Sequence, residues 1–386
     1  MTRHYLDHAS TSPPRSEVVA AMGDWLTRAS AGELGDPGRI HHEGMAARVE
    51  IEEAREAIAT FVGARSREVV LTSGATEAIA AAVHGAAERG DHVVLAAVEH
   101  SAVREAVGQL VEAGTHTATT VPVDGTGRVD PDAVAAALDA ARTAGRTPAL
   151  VCTQTGNHEV GTLQPVDEII AVARERDVLV HVDAAAGAGH VPVSFAASGA
   201  DLLSFSGHKF GGPSGIGALL VRRGLRVRPL LRGGDQERAR RAGFEHGAAI
   251  VGLASACAAL TDDRLSAEAG AARRRTDRVL TSVPGLDGVR AYGDPRARLP
   301  HILCLGIDGI EPQAVLLGLD RAGIAAHSGS ACSSEALEPS PVLEAMGVDA
   351  HRSLRISVGW STTDDDIDAL LAALPEVIAP LRALQR

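Results

Sequence analysis

Between Val69 and Val221 the chain alternates short apolar runs with longer, alanine-rich amphipathic stretches, and no other feature restricts its fold so tightly. The short runs have strand length and the longer ones helix length. Strands are predicted at 69–73, 92–98, 117–123, 149–155, 178–184, 201–206 and 216–222, and helices at 15–30, 43–62, 75–88, 101–113, 131–144 and 165–176. Continuously apolar strands are buried on both faces, so helices must cover both sides of a mostly parallel seven-stranded sheet. Beyond about residue 250 a second set follows, with strands at 288–292, 301–307 and 354–358 and helices at 311–323 and 364–383. The expected class is α/β. A large domain over 15–255 packs against a smaller α/β domain built from 1–14 and 256–386, with no low-complexity linker between them.

Composition narrows the function. A net charge of -12 argues against broad or direct nucleic-acid binding, and the arginine runs at 222–241 and 273–278 read as solvated or subunit-facing surface. No apolar run approaches the roughly 20 residues of a membrane span, and the N-terminus lacks an apolar signal core, so a cytoplasmic location is expected. The four cysteines make no C-x-x-C pair, and His41, His42, His84, His116 and His301 have no ligand spacing, so no metal site is expected and these histidines read as surface or capping groups. Cys152 and Cys304 lie in apolar runs and Cys257 in an alanine-rich helix, where burial as small hydrophobes is expected. Cys332 differs. It stands in the polar stretch Ser328-Gly329-Ser330-Ala331-Cys332-Ser333-Ser334-Glu335, with no apolar neighbour to pack against, where a reactive thiol would be placed.

Of 37 basic residues only Lys209 is a lysine. A desolvated ammonium can lose its proton and attack a carbonyl, whereas a guanidinium stays charged. Lys209 leaves a predicted strand for a glycine-rich loop, which makes it a Schiff-base candidate. Val69 to Ala78 reads as a strand, a small-residue turn and a helix start, an arrangement that aims backbone N–H groups at an anion. Other predicted strands end in Glu99-His100, in Asn157-His158-Glu159, in His181-Val182-Asp183 and in Ser206-Gly207-His208-Lys209. Ligands of open α/β sheets bind at that carboxyl edge. A phosphate cradle, an amine and a carboxylate are the parts that hold pyridoxal phosphate, whose pyridine nitrogen must stay protonated. Asp183 suits that last role, or else caps a turn.

These motifs, together with Gly329 to Ser334, Ser353-Leu354-Arg355-Ile356-Ser357 and Tyr5-Leu6-Asp7, fall in the order seen in class V pyridoxal-phosphate enzymes. Within that class the chain resembles cysteine desulfurases of the iron-sulfur-cluster-assembly type, over nearly its whole length. The resemblance implies a class V aminotransferase-like fold and a homodimer that takes L-cysteine and passes sulfur to an acceptor protein. It implies that Lys209 binds the cofactor aldehyde and moves the substrate α-proton, while Ala75, Thr76, Ser206 and His208 hold the phosphate. His100 would stack on the pyridine and assist proton transfer, and Arg355, with Asn157, would bind the substrate carboxylate. Cys332 would be the nucleophile that takes the sulfur as a persulfide. Two other readings are a class V lyase acting on selenocysteine or a biosynthetic thio-substrate, and a non-catalytic sulfur-relay scaffold.

Three positions depart from the family's pattern, which usually has asparagine at His158, glutamine at Ala186 and threonine at Phe244. A methyl group cannot donate to the ring oxygen of the cofactor, so a hydrogen bond of about 1 kcal/mol is absent unless His158 or water supplies it. Phe244 offers no donor either, which predicts a weaker grip of the partner subunit on the phosphate.

Overall fold

The computed structural model describes residues 2–329 and 339–384. Twelve strands occur in it: β1 (His4–Tyr5), β2 (Val69–Thr72), β3 (His92–Ala96), β4 (Thr117–Val121), β5 (Pro148–Gln154), β6 (Leu179–Asp183), β7 (Leu202–Ser206), β8 (Gly217–Val221), β9 (Val289–Tyr292), β10 (Ile302–Ile307), β11 (Ile324–Ala325) and β12 (Ser353–Ser357). Seven of them form one sheet in the order β2-β8-β7-β6-β5-β3-β4. Every pairing in it is parallel except those of β8, which runs antiparallel to both β2 and β7. The expected mostly parallel α/β sheet is therefore what the chain builds.

The strands owe their place to their side chains. All seven residues of β5 are buried, because helices cover both faces of the sheet centre. The edge strand β4 instead alternates partly buried and exposed residues along Thr117–Thr120. Helix starts are capped locally. The Asp130 side chain accepts from Asp132 N ahead of Pro131–Thr143, with proline at the first turn, where its missing N–H costs nothing.

The smaller sheet has the order β12-β10-β9 and is antiparallel throughout. Leu6, Leu303, Leu305, Ile356 and Leu370 belong to an apolar cluster of their own beside it. The N-terminus joins this region, since β1 pairs parallel with β11. From there the chain runs across to the lysine loop: Ser12 N donates to His208 O at 2.8 Å and Arg15 N to Gly211 O at 2.9 Å. Arg15 is buried, paired with both oxygens of Glu268 and stacked 5.4 Å from the Trp360 ring.

The cysteines expected to be buried are so, and burial raises the thiol pKa of Cys152, Cys257 and Cys304. One expectation is corrected. His301 is no surface group: it is buried and stacks face to face on His190. Nothing in the tripeptide Pro300-His301-Ile302 signals this, because the partner ring arrives from the loop after β6, more than a hundred residues away.

Candidate active site

A cavity of about 500 Å³ opens at the carboxyl edge of the large sheet, a size that suits a small cofactor with its substrate. Ala75, Thr76, His100, His158, Asp183, Ser206, His208 and Lys209 all line it. Asn157 does not. Its side chain is buried in the turn after β5, where Nδ2 donates to Val98 O and Oδ1 accepts from the backbone N–H groups of Glu159 and Val160. These bonds shape the turn and use one of the two Nδ2 hydrogens, leaving a donor on the amide. Cys332 lies outside the described residues.

At one end of the cavity the helix Ala75–Ala86 begins at Gly74, and no side chain caps its first N–H groups. Uncapped N–H groups opening on a cavity fit a phosphate. The turn is braced from outside: Glu77 Oε2 accepts from Ser73 N at 2.8 Å, and Arg241 Nε holds Glu77 Oε1 at 2.9 Å. β8 passes so close that a Cβ on Gly217 would sit 2.5 Å from Phe205 O and 2.8 Å from Gly74 Cα. Ser206 and His208 face each other there, Oγ to Nδ1, at 2.8 Å.

Lys209 enters from the loop after β7. Its Nζ donates to Ala9 O at 2.7 Å and Ser10 O at 3.0 Å. Burial and the nearby Arg355 guanidinium lower its pKa to about 8, against the pull of Asp183 and Asp7. A free amine is thus available near neutral pH. Asp183, at the end of β6, is 6% exposed and accepts from Ala185 N at 2.9 Å. Burial raises its pKa, and a pyridinium beside it would favour the ionised carboxylate.

His100 caps the helix Ser101–Glu112, its Nδ1 accepting from Ala102 N at 3.0 Å. Burial and neighbouring His158 and Lys209 lower its pKa to about 3, so the ring is neutral and carries its proton on Nε2. Arg355, on β12, is buried, with Nη1 donating to His158 O at 2.9 Å and Nη2 to Asp7 Oδ1 at 3.1 Å. Its Nε has no partner among the described residues. Asp7, the two backbone carbonyls beneath Lys209 and Glu99 escape a reading by residue type. Glu99 is wholly buried, and burial with the nearby Asp183 pushes its carboxyl well up. Backbone carbonyls leave no mark in a sequence, and Asp7 becomes a site residue only through the β1–β11 pairing that delivers it.

The donor set fits pyridoxal phosphate: uncapped helix N–H groups for its phosphate, an amine of lowered pKa for its aldehyde and a buried carboxylate for its ring nitrogen. A family model described as aminotransferase class-V matches residues 4–370. The cysteine desulfurase IscS of Dictyoglomus turgidum is 39% identical over 388 residues, 98% of this chain and 95% of that one. A cysteine desulfurase of Cereibacter sphaeroides is 39% identical over 395 residues, 100% and 98% of the two chains. Among solved structures, a NifS-like protein has a TM-score of 0.88 at 29% identity, covering 98% of this chain and 100% of its own. SspA in complex with cysteine has a TM-score of 0.79 at 27% identity, covering 93% and 100%. With fold, cavity and relatives in agreement, the chain belongs to the class V aminotransferase family, whose cofactor is pyridoxal phosphate.

Proposed function

We propose that this chain is a cysteine desulfurase: it releases L-alanine from L-cysteine and keeps the sulfur as a persulfide on Cys332, for delivery to an acceptor protein. The observation that carries the reading is Lys209, the one lysine, held in the cavity with a pKa of about 8 and facing Asp183 and Arg355. Pyridoxal phosphate supplies an electron sink for the bond cleavage when bound. Lys209 in its neutral form takes the substrate α-proton. Arg355, steadied by Asp7 and the His158 carbonyl, keeps donors for the substrate carboxylate. His100 presents Nε2–H to the reacting groups. The Cys332 thiolate attacks the substrate sulfur, so that an S–S bond forms as the Cβ–S bond breaks, and a proton delivered to Cβ together with return of a proton from Lys209 to Cα completes alanine.

Alanine and sulfide released from L-cysteine with a reductant present test this reading. Both are lost in Lys209→Ala and Cys332→Ala and kept in Cys257→Ala. Unchanged release from Cys332→Ala would refute the nucleophile assignment. A homodimer is part of the same proposal, supported by Val19 at 60%, Leu26 at 57% and Phe244 at 67% exposure, all apolar. Sedimentation at twice the chain mass is the expected result. No helix among the described residues is long and apolar enough to cross a membrane.

A further inference from the structure

Of the polar side chains at the end of β5 and in the turn after it, Gln154, Asn157 and Glu159 are committed elsewhere. Gln154 Nε2 donates to Val98 O at 2.6 Å, Asn157 shapes the turn, and Glu159 Oε2 accepts from the buried Ser340 Oγ at 2.6 Å. His158 lines the cavity with its ring edge-on to His100, centroids 4.8 Å apart. Ala186, which also lines the cavity, contributes only a methyl group.

The two nitrogens of His158 have unlike surroundings. Nδ1 is buried with no hydrogen-bond partner among the described residues, and Nε2 faces Glu159 Oε1 at 3.6 Å. A proton on Nδ1 would be a buried, unsatisfied donor costing about 1–3 kcal/mol, whereas a proton on Nε2 is favoured by the carboxylate. At 3.6 Å the contact is too long to be a full hydrogen bond, so the Nε2–H still has donor capacity to offer a third group.

We infer that Glu159 holds His158 in the Nε2–H tautomer, and that His158 thereby becomes the side-chain donor to the ring oxygen of bound cofactor that Ala186 cannot be. The inference rests on the pyridoxal-phosphate reading above and deepens it. Glu159 is then a positioning residue: it does not line the cavity and acts through the histidine.

Two measurements on the full chain test this. The first is ¹⁵N NMR of the histidine rings in cofactor-free protein, with the His158 signal assigned by its loss in His158→Asn. A single Nε2–H tautomer is expected in the wild type and a mixture in Glu159→Gln, which keeps an oxygen for Ser340. The second is equilibrium dialysis with pyridoxamine 5′-phosphate, which has the ring oxygen and phosphate but no aldehyde for Lys209. His158→Ala and Glu159→Gln should each weaken binding roughly tenfold, and the double variant no further, because both remove one hydrogen bond. His158→Asn, an amide donor, should bind within about threefold of the wild type. Wild-type tautomer and affinity in Glu159→Gln, or losses that add in the double variant, would overturn the inference alone. A wild type that binds neither pyridoxamine phosphate nor pyridoxal phosphate would overturn the underlying reading and this inference with it.

Discussion

The ring of His190 stacks on that of His301, with centroids 3.5 Å apart and planes 12° from parallel, and His190 Nε2 lies 3.1 Å from the carbonyl of Lys209. The same carbonyl accepts from Ser12 Oγ at 3.0 Å, and that hydroxyl also meets His8 Nδ1 at 2.8 Å. Three histidines, from the N-terminal segment, the loop after β6 and the start of β10, therefore converge behind the cavity lysine.

Acid should loosen this junction. Burial lowers His8 and His190 to about 4 from the ordinary 6.5 and lowers His301 as well. Between those values the unfolded chain binds protons that the folded chain refuses, so stability is complete above about pH 6.5 and declines as pH falls toward 4. His8 and His190 each account for up to about 3 kcal/mol. Urea midpoints should be lower at about pH 5 than at about pH 7.5, with the gap narrowed in His301→Leu. A gap that His301→Leu leaves intact counts against this account.

Amine reactivity of Lys209 should follow its lowered pKa. In cofactor-free protein, acetylation by a trace reagent should rise through a midpoint near 8, not near 10.5. Because no other lysine exists, intact-mass spectrometry distinguishes it from the N-terminus by one digest. A midpoint above 10 would mean that the amine is better solvated than the structure has it.

Arg355→Lys should raise KM for L-cysteine roughly tenfold or more, since a point charge cannot reach His158 O, Asp7 and a substrate carboxylate together. Asp7→Asn should act in the same direction and more weakly, through loss of the 3.1 Å ion pair that steadies the guanidinium. Steady-state kinetics decide it, and an unchanged KM in Arg355→Lys would remove the clamp.

Gly217→Ala should weaken cofactor binding by about tenfold or more and lower thermal stability, because backbone atoms at 2.5 and 2.8 Å leave no room for a methyl group beside the cradle turn. Gly108→Ala is the contrasting case. It lies in the helix Ser101–Glu112 with nothing within 4 Å of an added Cβ, and should stabilise the chain by up to about 1 kcal/mol. Dialysis and thermal melts of the pair separate crowding at the cradle from a general effect of replacing glycine.

The seven large-sheet strands were legible because apolar period and β-branched runs are local properties, as in Val69–Thr72 and Leu202–Ser206. The direction of β8 and the two-residue pairing of β1 with β11 were not, since neither has a period to read. Asn157 shows the limit within the site. Its neighbours spell a binding motif, but the bond from its amide to Val98 O is set by packing that no local pattern encodes.

The amino-acid sequence by itself determined the inventory and its rough placement: a single amine, a helix start rich in small residues, and carboxylate, imidazole and guanidinium groups at predicted strand ends. Only the tertiary structure decided which of them lose water and which meet. Desolvation and charge proximity depend on segments far apart in the chain, as when burial in the cavity and Arg355 on β12 bring the pKa of Lys209 to about 8.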